Sequence, residues 1–532
     1  MARGGVTLRG RGVRGEDAGD AAGDAAGDRW SRDTEETRRL VDAVGTSEEL
    51  VARIPPPPML SVFLFFLFPA VGGMLFGYDI GATSGALLSM TSASLSGTDW
   101  YAMTSGDQGL VVSLSLAGAL GGSVLALLFG DELGRRRELI LGGVLYLVGA
   151  GLVGEAPGLG VVMLGRLLYG LGIGFSMHAA PAYIAETSPP DVRGVLISTK
   201  EAFIVGGILL GYLVSYLSIS TVGGWRVIYG AAVPLSLVLV AGMAYLPESP
   251  RWLALKNRKE EAVASLARAM PGTPVGLLQE EVADMMRASE VVAGDVEGAS
   301  GESGGNGGNE VPLSAVFTEG KYRRPLAVGL SLMLFQQITG QPSVLYYAAK
   351  IFQDAGFASA DSATGISVVL GLFKLVMTGV AVVTVDSWGR RPLLLVGISG
   401  IVASLVLLGS VQGDLVPFVT STSDVGIWMN VGALLLYVGA YQVSFGPISW
   451  LLCGEVFPLS VRGSALALAT MTNFASNFLV SLCIPTLQET LGPSGLYFAF
   501  AGVGVAALLT VNAIVPETKG KRLEEIERLW EA

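Results

Sequence analysis

Long apolar runs dominate the pattern of hydrophobic and polar positions along this chain, and short polar stretches separate them. A helix of about 20 apolar residues crosses ~30 Å of hydrocarbon at ~1.5 Å per residue. Twelve windows of that kind occur, around 61–90, 108–130, 138–156, 159–183, 195–219, 226–246, 326–350, 363–384, 392–411, 426–453, 464–486 and 494–515. The pattern predicts an all-α membrane protein with twelve transmembrane helices.

Composition supports this class and disfavours several others. The chain has 532 residues, of which 51% are hydrophobic and only 15% are charged, as multi-spanning membrane proteins have. The net charge of −11 argues against a nucleic-acid partner. Cys453 and Cys483 both fall inside apolar windows, so no disulfide framework, metal site or cofactor is expected. Without a GxSxG motif or a P-loop, an enzyme is disfavoured.

Positive charge alternates between the two sets of loops. Arginine follows the even-numbered spans, as in Arg135–Arg137 and Arg390–Arg391, whereas 91–105, 155–158, 412–424 and 487–493 contain no Lys or Arg. By the positive-inside rule the first set and both termini face the cytosol or its equivalent. We call that face the arginine-rich side and the other the opposite side.

Five segments follow from these patterns. They are a disordered tail over 1–58, a six-helix bundle over 59–247, an intracellular linker over 248–324, a second six-helix bundle over 325–516 and a cytosolic tail over 517–532. The linker is expected to hold short amphipathic helices and then a flexible Gly-rich and acidic stretch. The first fifteen residues carry four Arg and no acid, which leaves organelle targeting open beside a plain disordered tail.

An internal repeat relates the two bundles. The motif PAYIAETSPPDVRG recurs as SWLLCGEVFPLSVRG. An interval of 269 residues separates Glu186 from Glu455, and the same interval separates Arg193 from Arg462. PESPR and PETKG repeat at that interval too, and DELGRRRELI has a counterpart in VDSWGRRPLL. The halves are therefore expected to be parallel structural repeats that rock about a central site.

Twelve charged residues and two glycines at the repeated motifs are candidates for a cytosolic gate that latches one state. They are Asp131, Gly134, Arg135, Arg136, Glu186, Arg193 and Glu248 in the first half, and Asp386, Gly389, Arg390, Arg391, Glu455, Arg462 and Glu517 in the second. Ordinary interfacial ion pairs that only anchor the topology are the alternative.

The ordered motifs resemble one known family. GRRRELI, GRLLYGLGIGF, PESPRW, FQQITGQPSVLYYA, GRRPLL, GPISWLLCGEVFPLSVRG and PETKG resemble the sugar porter branch of the major facilitator superfamily. FGYDIGATSG, FIVGGILLGYLVS and LLLYVGAYQVSFGPISW resemble its plant vacuolar and plastid glucose transporter (D-xylose-proton symporter-like) group. The resemblance implies a major facilitator fold, alternating access to a monosaccharide site, function as a monomer, and a vacuolar or plastid envelope membrane, with the plasma membrane as an alternative.

Polar side chains inside the spans suit a sugar, whose hydroxyls both donate and accept hydrogen bonds. Helix-to-helix hydrogen bonding is their alternative role. The candidates are Gln336, Gln337, Gln341, Trp450, Asn473 and Asn477. The resemblance assigns Gln336, Gln337, Trp450 and Asn473 to sugar contact, and it places Tyr346 and Tyr347 near the outer gate.

Two positions depart from the family pattern. QQITGQP has Pro342 where several members have Asn, and Glu201 replaces a Gln that usually contacts sugar. Glu201 stays a candidate sugar ligand, and a buried carboxylate there needs a partner. Lys374, Lys200 and a water-filled cavity are the options.

Asp79 in FGYDIGATSG is the clearest exception in an apolar helix, because an ionised group there costs several kcal/mol. Arg166 on the fourth span can neutralise it, and Gly77, Gly81 and Gly85 predict close helix packing around it. In proton-coupled sugar porters an Asp in the first span pairs with this Arg, so the resemblance makes Asp79 and Arg166 the proton-coupling pair. A static ion pair is the alternative.

Three functions therefore stay open. Proton-coupled sugar transport is favoured, with sugar and protons as partners beside the bilayer. A passive facilitator would need a purely structural Asp79–Arg166 pair, and a non-transporting sensor would normally carry a larger tail than the one after Pro516. The single histidine, His178, is expected to pack between helices more readily than to contact substrate.

Overall fold

The computed structural model describes residues 59–188, 190–298, 320–458, 461–521, 525–526 and 530. Within this part every assigned element is an α-helix. The predicted N-terminal tail, residues 299–319 of the linker with its Gly-rich stretch, and half of the C-terminal tail lie outside the described residues.

Seven helices build the N-terminal half. They are α1 (Met59–Thr91), α2 (Ser105–Leu133), α3 (Arg135–Gly154), α4 (Leu159–Thr187), α5 (Pro190–Ser218), α6 (Gly224–Gly230) and α7 (Ala232–Tyr245). The last two form one span. α1 packs against α5, and both α2 and α3 pack against α4.

Three further helices follow on the arginine-rich side. They are α8 (Pro250–Leu255), α9 (Lys259–Ala269) and α10 (Val275–Gly298). These helices pack together around the buried side chains of Trp252, Leu266 and Val282. Trp252 also donates its indole N–H to the carbonyl of Asp131 at 2.9 Å, which ties the linker to the end of α2.

Eight helices build the C-terminal half. They are α11 (Gly320–Ile338), α12 (Gln341–Tyr346), α13 (Ala348–Asp354), α14 (Ala360–Trp388), α15 (Arg390–Gln412), α16 (Asp424–Val443), α17 (Phe445–Val456) and α18 (Arg462–Ile514). α14 packs against α5 of the first half, and α18 packs against α2.

The number of spans agrees with the twelve predicted windows once the breaks are considered. Ten helical stretches among the described residues are long and apolar enough to cross a membrane. One of them, α18, has 53 residues and breaks at Gly492, where φ is 70°. At ~1.5 Å per residue it would extend about 80 Å, so it supplies two spans. The broken pair α11 and α12 supplies the twelfth.

Glycine lets the helices around Asp79 approach closely. A Cβ added at Gly77 would lie 1.8 Å from the carbonyl oxygen of Ile204 on α5. A Cβ at Gly170 on α4 would lie 2.1 Å from the carbonyl oxygen of Ser115 on α2. Only glycine fits such backbone contacts, which hold α1, α2, α4 and α5 together around the carboxylate.

A carboxylate caps the first turn of α3, and a second one caps α15 in the same way. Glu248 Oε1 accepts the backbone N–H of Arg136 at 2.8 Å and that of Ser249 at 3.0 Å. The residue before α3 is Gly134, with φ 84°, and a Cβ there would lie 2.7 Å from Glu248 Oε2. Both the positive φ and the carboxylate therefore require glycine. The negative charge also complements the helix dipole.

Glu517 repeats this arrangement with one difference. Its Oε1 accepts the N–H groups of Arg390 at 3.1 Å and Lys519 at 2.9 Å, while its Oε2 accepts that of Arg391 at 3.1 Å. Gly389, with φ 95°, precedes α15 as Gly134 precedes α3. Glu517 thus uses both carboxylate oxygens, whereas the N–H bonds to Glu248 all fall on Oε1.

The two caps differ in their pKa. Burial raises the pKa of Glu248 above its ordinary value, and the N–H bonds from Arg136 and Ser249 only partly oppose this. Burial also disfavours the ionised form of Glu517, but N–H bonds from Lys519, Arg390 and Arg391 outweigh it and lower its pKa. Ionised Glu517 therefore stabilises the folded state above its ordinary pKa, and this stabilisation is lost as pH falls through the folded value. For Glu248 the sign is reversed.

We expect Glu517→Gln to destabilise the protein at pH 7 by about 1 kcal/mol, because an amide cannot accept N–H bonds on both of its terminal atoms. The matched variant Glu248→Gln keeps an acceptor at Oε1 and should change stability much less. Apparent melting temperatures in detergent at pH 7 and near pH 4 measure both. The Glu517→Gln deficit should shrink at the lower pH, and equal deficits for the two variants at pH 7 would contradict the proposed difference.

Candidate functional site

A buried ion pair joins α1 to α4 inside the N-terminal half. Arg166 Nη1 donates to Asp79 Oδ1, and both side chains are at most 2% exposed. Ser115 on α2 donates its hydroxyl to Asp79 Oδ2 at 3.0 Å and accepts from Arg166 Nη2 at 2.9 Å. Three helices therefore meet at one charge-compensated centre.

Arg166 keeps further partners that do not depend on Asp79. Its Nε donates to the carbonyl of Val111 at 2.9 Å, and Nη2 donates to that of Val112 at 3.2 Å. The guanidinium carbon lies 5.2 Å from the ring centroid of Tyr229, which is a cation–π contact. The cation is thus held by backbone oxygens and a ring even where the carboxylate changes its charge.

A small cavity lies directly beside the pair. It has a volume of about 10 Å3 and is lined by Tyr78, Asp79, Ala150, Val153, Arg166, Tyr169, Tyr229 and Ala232. A space of that size is at the lower limit for one water molecule, about 10–15 Å3. Its position beside a carboxylate suits a proton carrier.

Amide side chains meet in the C-terminal half. Gln336 Nε2 donates to the carbonyl of Phe445 at 2.7 Å, and Asn473 Nδ2 donates to Gln336 Oε1 at 2.6 Å. Gln337 Nε2 lies 3.4 Å from the same Gln336 oxygen. The structure therefore brings three predicted sugar ligands together, from α11 and α18, against the first turn of α17.

The remaining acceptor capacity of this cluster belongs to Gln337. Its Oε1 is buried and has no hydrogen-bond partner among the described residues. A buried acceptor without a partner costs about 1–3 kcal/mol. A sugar hydroxyl could satisfy it, whereas Gln336 is already saturated by protein groups.

Two helix breaks frame the amides. α11 ends at Ile338 and α12 begins at Gln341, with Gly340 between them at φ 94°. α16 and α17 are separated by Ser444, whose φ and ψ are −111° and −95°. Breaks of this kind free backbone carbonyls beside a binding site, as Gln336 shows by bonding to Phe445.

Other predicted sugar ligands lie close to this cluster in the chain. Gln341 begins α12 and is buried, and Asn477 is buried one turn after Asn473, where it accepts the hydroxyl of Ser481 at 3.2 Å. Trp450, one turn after Gly446 on α17, is 38% exposed. An aromatic face left partly open is suited to the C–H surface of a sugar.

The two predicted gate tyrosines are buried at the junction of the halves. Tyr347 donates its hydroxyl to the carbonyl of Ser481 at 3.0 Å. The hydroxyl of Tyr346 has no hydrogen-bond partner among the described residues. Tyr346 lies within electrostatic range of both Asp79 and Arg166, and Tyr347 within range of Arg166, so the start of the C-terminal half approaches the ion pair here.

Glu201 and Lys374 lie in electrostatic range of each other across the halves, but they form no direct ion pair. Lys374 Nζ donates to Gln442 Oε1 at 2.6 Å, and it lies 5.6 Å from the ring centroid of Tyr441. Glu201 is half-buried and within electrostatic range of Lys374 and Tyr441. Lys374 therefore bonds to the amide of Gln442 rather than directly to Glu201.

Contacts between the halves concentrate towards the opposite side of the described structure. Ser105 donates to Glu489 at 2.5 Å, and Tyr212 donates to the carbonyl of Leu345 at 2.8 Å. The backbone N–H of Ala349 donates to Ser84 at 2.9 Å. The halves are therefore closed on the opposite side.

On the arginine-rich side, each of the following ion pairs between described gate residues joins two residues of the same half. Arg135 pairs with Asp131 at 2.9 Å and with Glu186 at 3.5 Å, whereas Arg390 pairs with Glu455 at 3.1 Å. These pairs do not join the two halves, so a latch between the halves stays a prediction. The side chains of Arg193 and Asp386 lie outside the described part.

The remaining gate arginines hold backbone carbonyls. Arg136 donates to the carbonyl of Met243 at 2.9 Å, and Arg391 donates to that of Asn512 at 2.9 Å. Arg462 donates to the carbonyl of Phe457 at 3.2 Å. The first two bonds are equivalent in the two repeats and tie each GRR motif to the last span of its half.

Sequence reasoning missed several residues of the site. Ser115 and Tyr229 contact Asp79 or Arg166, and Tyr441 and Gln442 adjoin Lys374. A serine in an apolar span, or a tyrosine near its end, has the same pattern when it only packs. Gln442 could have been identified from the sequence, because an amide side chain in an apolar window needs a hydrogen-bond partner.

Comparisons with known proteins agree with this geometry. The family model for "Sugar (and other) transporter" matches residues 65–530. The chain is 50% identical over 476 residues to "D-xylose-proton symporter-like 3, chloroplastic" of Arabidopsis thaliana, covering 88% of this chain and 82% of that protein. It is 32% identical to the "Galactose-proton symporter" of Escherichia coli strain K12, over 88% of this chain and 94% of the relative.

Solved structures show the same fold. The inward open conformation of the xylose transporter XylE from E. coli superposes with a TM-score of 0.70 at 28% identity, over 88% of this chain and 100% of that one. The proton:xylose symporter XylE bound to 6-bromo-6-deoxy-D-glucose gives 0.68 at 27% identity, over 89% and 99%. The chain is thus a membrane transporter and not an enzyme, and it belongs to the sugar transporter family, with the twelve-helix fold of the major facilitator superfamily.

Proposed function

We propose that this sugar transporter couples the movement of a monosaccharide, a hexose or a pentose, to the movement of protons, and that Asp79 carries the proton. The observation that supports it is the buried Asp79–Arg166 pair beside a water-sized cavity. A passive facilitator is the second candidate, in which the same pair only holds α1 to α4.

Protonation of Asp79 changes what holds Arg166. Neutral Asp79 no longer compensates the guanidinium, which keeps its bonds to Val111, Val112 and Ser115 and its contact with Tyr229. Since these partners are dipoles and a ring, they stabilise the cation less than a carboxylate does. Binding of a proton thus weakens the link between α1 and α4, while the guanidinium of Arg166 keeps its other partners.

Tyr346 offers a route from the proton to the sugar. It lies on α12, which packs against α1 and follows the break at Gly340 beside the amide cluster. Because Tyr346 is in electrostatic range of Asp79 and Arg166, a change in their charge acts on α12 directly. A shift of α12 would move Gln341 and the adjoining Gln337, which we propose as sugar ligands.

The driving force is sufficient for accumulation. One proton moving through ~100 mV contributes ~2.3 kcal/mol, and one pH unit adds ~1.4 kcal/mol. The names of two relatives, "D-xylose-proton symporter-like 3, chloroplastic" and "Galactose-proton symporter", support proton coupling. By the resemblance to the plant vacuolar and plastid glucose transporter group we propose a vacuolar or plastid envelope membrane, with the plasma membrane as the alternative. We also propose function as a monomer, with the intracellular residues of the repeated motifs as the gate.

We expect Asp79→Asn to abolish sugar accumulation driven by a pH gradient, because an amide cannot take up the proton. Uptake of labelled glucose and xylose into proteoliposomes, with and without a pH gradient, measures this. The matched control is Asp99→Asn, an exposed acid in the loop after α1, which should accumulate sugar as the wild type does. Accumulation that persists in Asp79→Asn would rule out coupling through Asp79 and favour a facilitator, and an absence of all transport by wild type would favour a sensor.

We expect Gln337→Ala to raise the KM for the transported sugar about tenfold, as the loss of one good hydrogen bond to substrate does. Initial rates of exchange across a range of sugar concentrations give KM and the maximal rate separately. Gln412→Ala, which removes an amide at the C-terminal end of α15, is the control and should leave KM unchanged. An unchanged KM in Gln337→Ala would exclude this amide from the sugar site.

A further inference from the structure

A second titratable pair lies in the N-terminal half, well away from Asp79. His178 Nδ1 on α4 is 2.7 Å from Glu138 Oε1 on α3. His178 is twelve residues after Arg166 on the same helix, or about 18 Å along its axis. The pair therefore lies towards the arginine-rich side and is separate from the site described above.

The two partners differ in their access to the surroundings. The Glu138 side chain is fully buried, and its Oε2 has no hydrogen-bond partner among the described residues. The His178 side chain is 36% exposed. A buried carboxylate is thus connected to the outside by the one side chain type that ordinarily gains and loses a proton between pH 5 and 8.

Packing holds the pair in place from a third helix. A Cβ added at Gly130 on α2 would lie 3.1 Å from both Glu138 Oε2 and His178 Cε1. The charged groups that act on Glu138 are His178 on α4, Arg135 on α3 and Asp131 at the end of α2. Arg135 is itself engaged by Asp131 and Glu186, so His178 is the partner in direct contact with the carboxylate.

We propose that Glu138 and His178 form a second proton-binding site, which shares one proton between the carboxylate and the imidazole and makes transport depend on the pH of the arginine-rich side. With the proton bound, the pair is either an ion pair or two neutral hydrogen-bonded groups. Without it, a buried carboxylate faces a neutral ring, and its negative charge acts on Arg135. Binding and release of the proton thus alter the charge beside the Arg135–Glu186 pair of the gate.

The single histidine of the chain allows a direct test. In the full protein labelled with 13C at histidine Cε1, NMR gives one imidazole signal. We expect its pH dependence to differ between wild type and Glu138→Gln, which keeps the shape of the carboxyl group and cannot take up a proton. The same titration curve in both proteins would overturn the shared proton.

Transport supplies an independent readout. Sugar counterflow in proteoliposomes, with equal pH on both sides, is measured at pH 6 and pH 8. We expect Glu138→Gln and His178→Asn each to change the ratio of the two rates about threefold or more, in the same direction, and the double variant to change it no further. Asn can still donate at the Nδ1 position, so His178→Asn keeps the hydrogen bond and removes only the titration.

Glu132→Gln is the matched control, an exposed acid six residues before Glu138, and it should keep the wild-type ratio. A wild-type ratio in both Glu138→Gln and His178→Asn would overturn the proposal. Because counterflow at equal pH needs no proton gradient, this result is separate from the accumulation test of Asp79. Either site can therefore fail without the other.

Discussion

The cost of a charge in an apolar interior is the constraint on which the rest of this structure depends. An unpaired ion within the membrane costs several kcal/mol, so each buried charge must have a compensating partner. Asp79 and Arg166 satisfy this jointly, with Ser115 bonded to both. The glycine at the α2–α4 contact serves it, because these helices must approach closely enough for Ser115 and Arg166 to bond. For the proposed proton coupling this pair matters because protonation of Asp79 removes its negative charge. Arg166 is then held by the carbonyl of Val111, the hydroxyl of Ser115 and the ring of Tyr229.

The amide cluster of the C-terminal half satisfies the same constraint with neutral groups. Broken helices release backbone carbonyls at membrane depth, and amide side chains bond to them. Gln336 is the centre of this arrangement, since it bonds to the carbonyl of Phe445 and accepts from Asn473. Beside Gln336, the buried Oε1 of Gln337 has no hydrogen-bond partner among the described residues. The buried ion pair and the amide cluster thus lie in different halves, and α12, which carries Tyr346, packs against α1 and follows the break beside the amide cluster.

Much of the fold could be predicted from the sequence, because apolar windows and the positive-inside pattern follow directly from the bilayer. The break at Gly492 was also predicted, since it falls in the polar stretch 487–493 between two windows. The breaks at Gly340 and Ser444 could not be predicted, because each falls inside a single apolar window. For the site, the Asp79–Arg166 pair was readable because both residues are exceptions in apolar spans. Ser115 and Tyr229 were not, because the same residues in the same pattern usually only pack. The partner of Lys374 was missed for a related reason: opposite charge suggested Glu201, but the closer acceptor is the neutral Gln442.

The repeated motifs show that equivalent residues need not be energetically equivalent. In both halves a glutamate caps the helix after a GRR glycine, and an arginine holds a carbonyl of the last span. Glu517 nevertheless distributes N–H bonds over both oxygens and has a lowered pKa, whereas Glu248 is more buried and has a raised one. The N-terminal half also holds the buried ion pair and the Glu138–His178 pair, while the amide cluster belongs to the C-terminal half. The buried acid–base pairs described above therefore lie in the N-terminal half, and the amide cluster lies in the C-terminal half beside the buried Lys374. In the proposed mechanism the proton binds in one half and the sugar in the other, so each ligand acts on its own rigid half, and the rocking of the two halves against each other couples the two binding events.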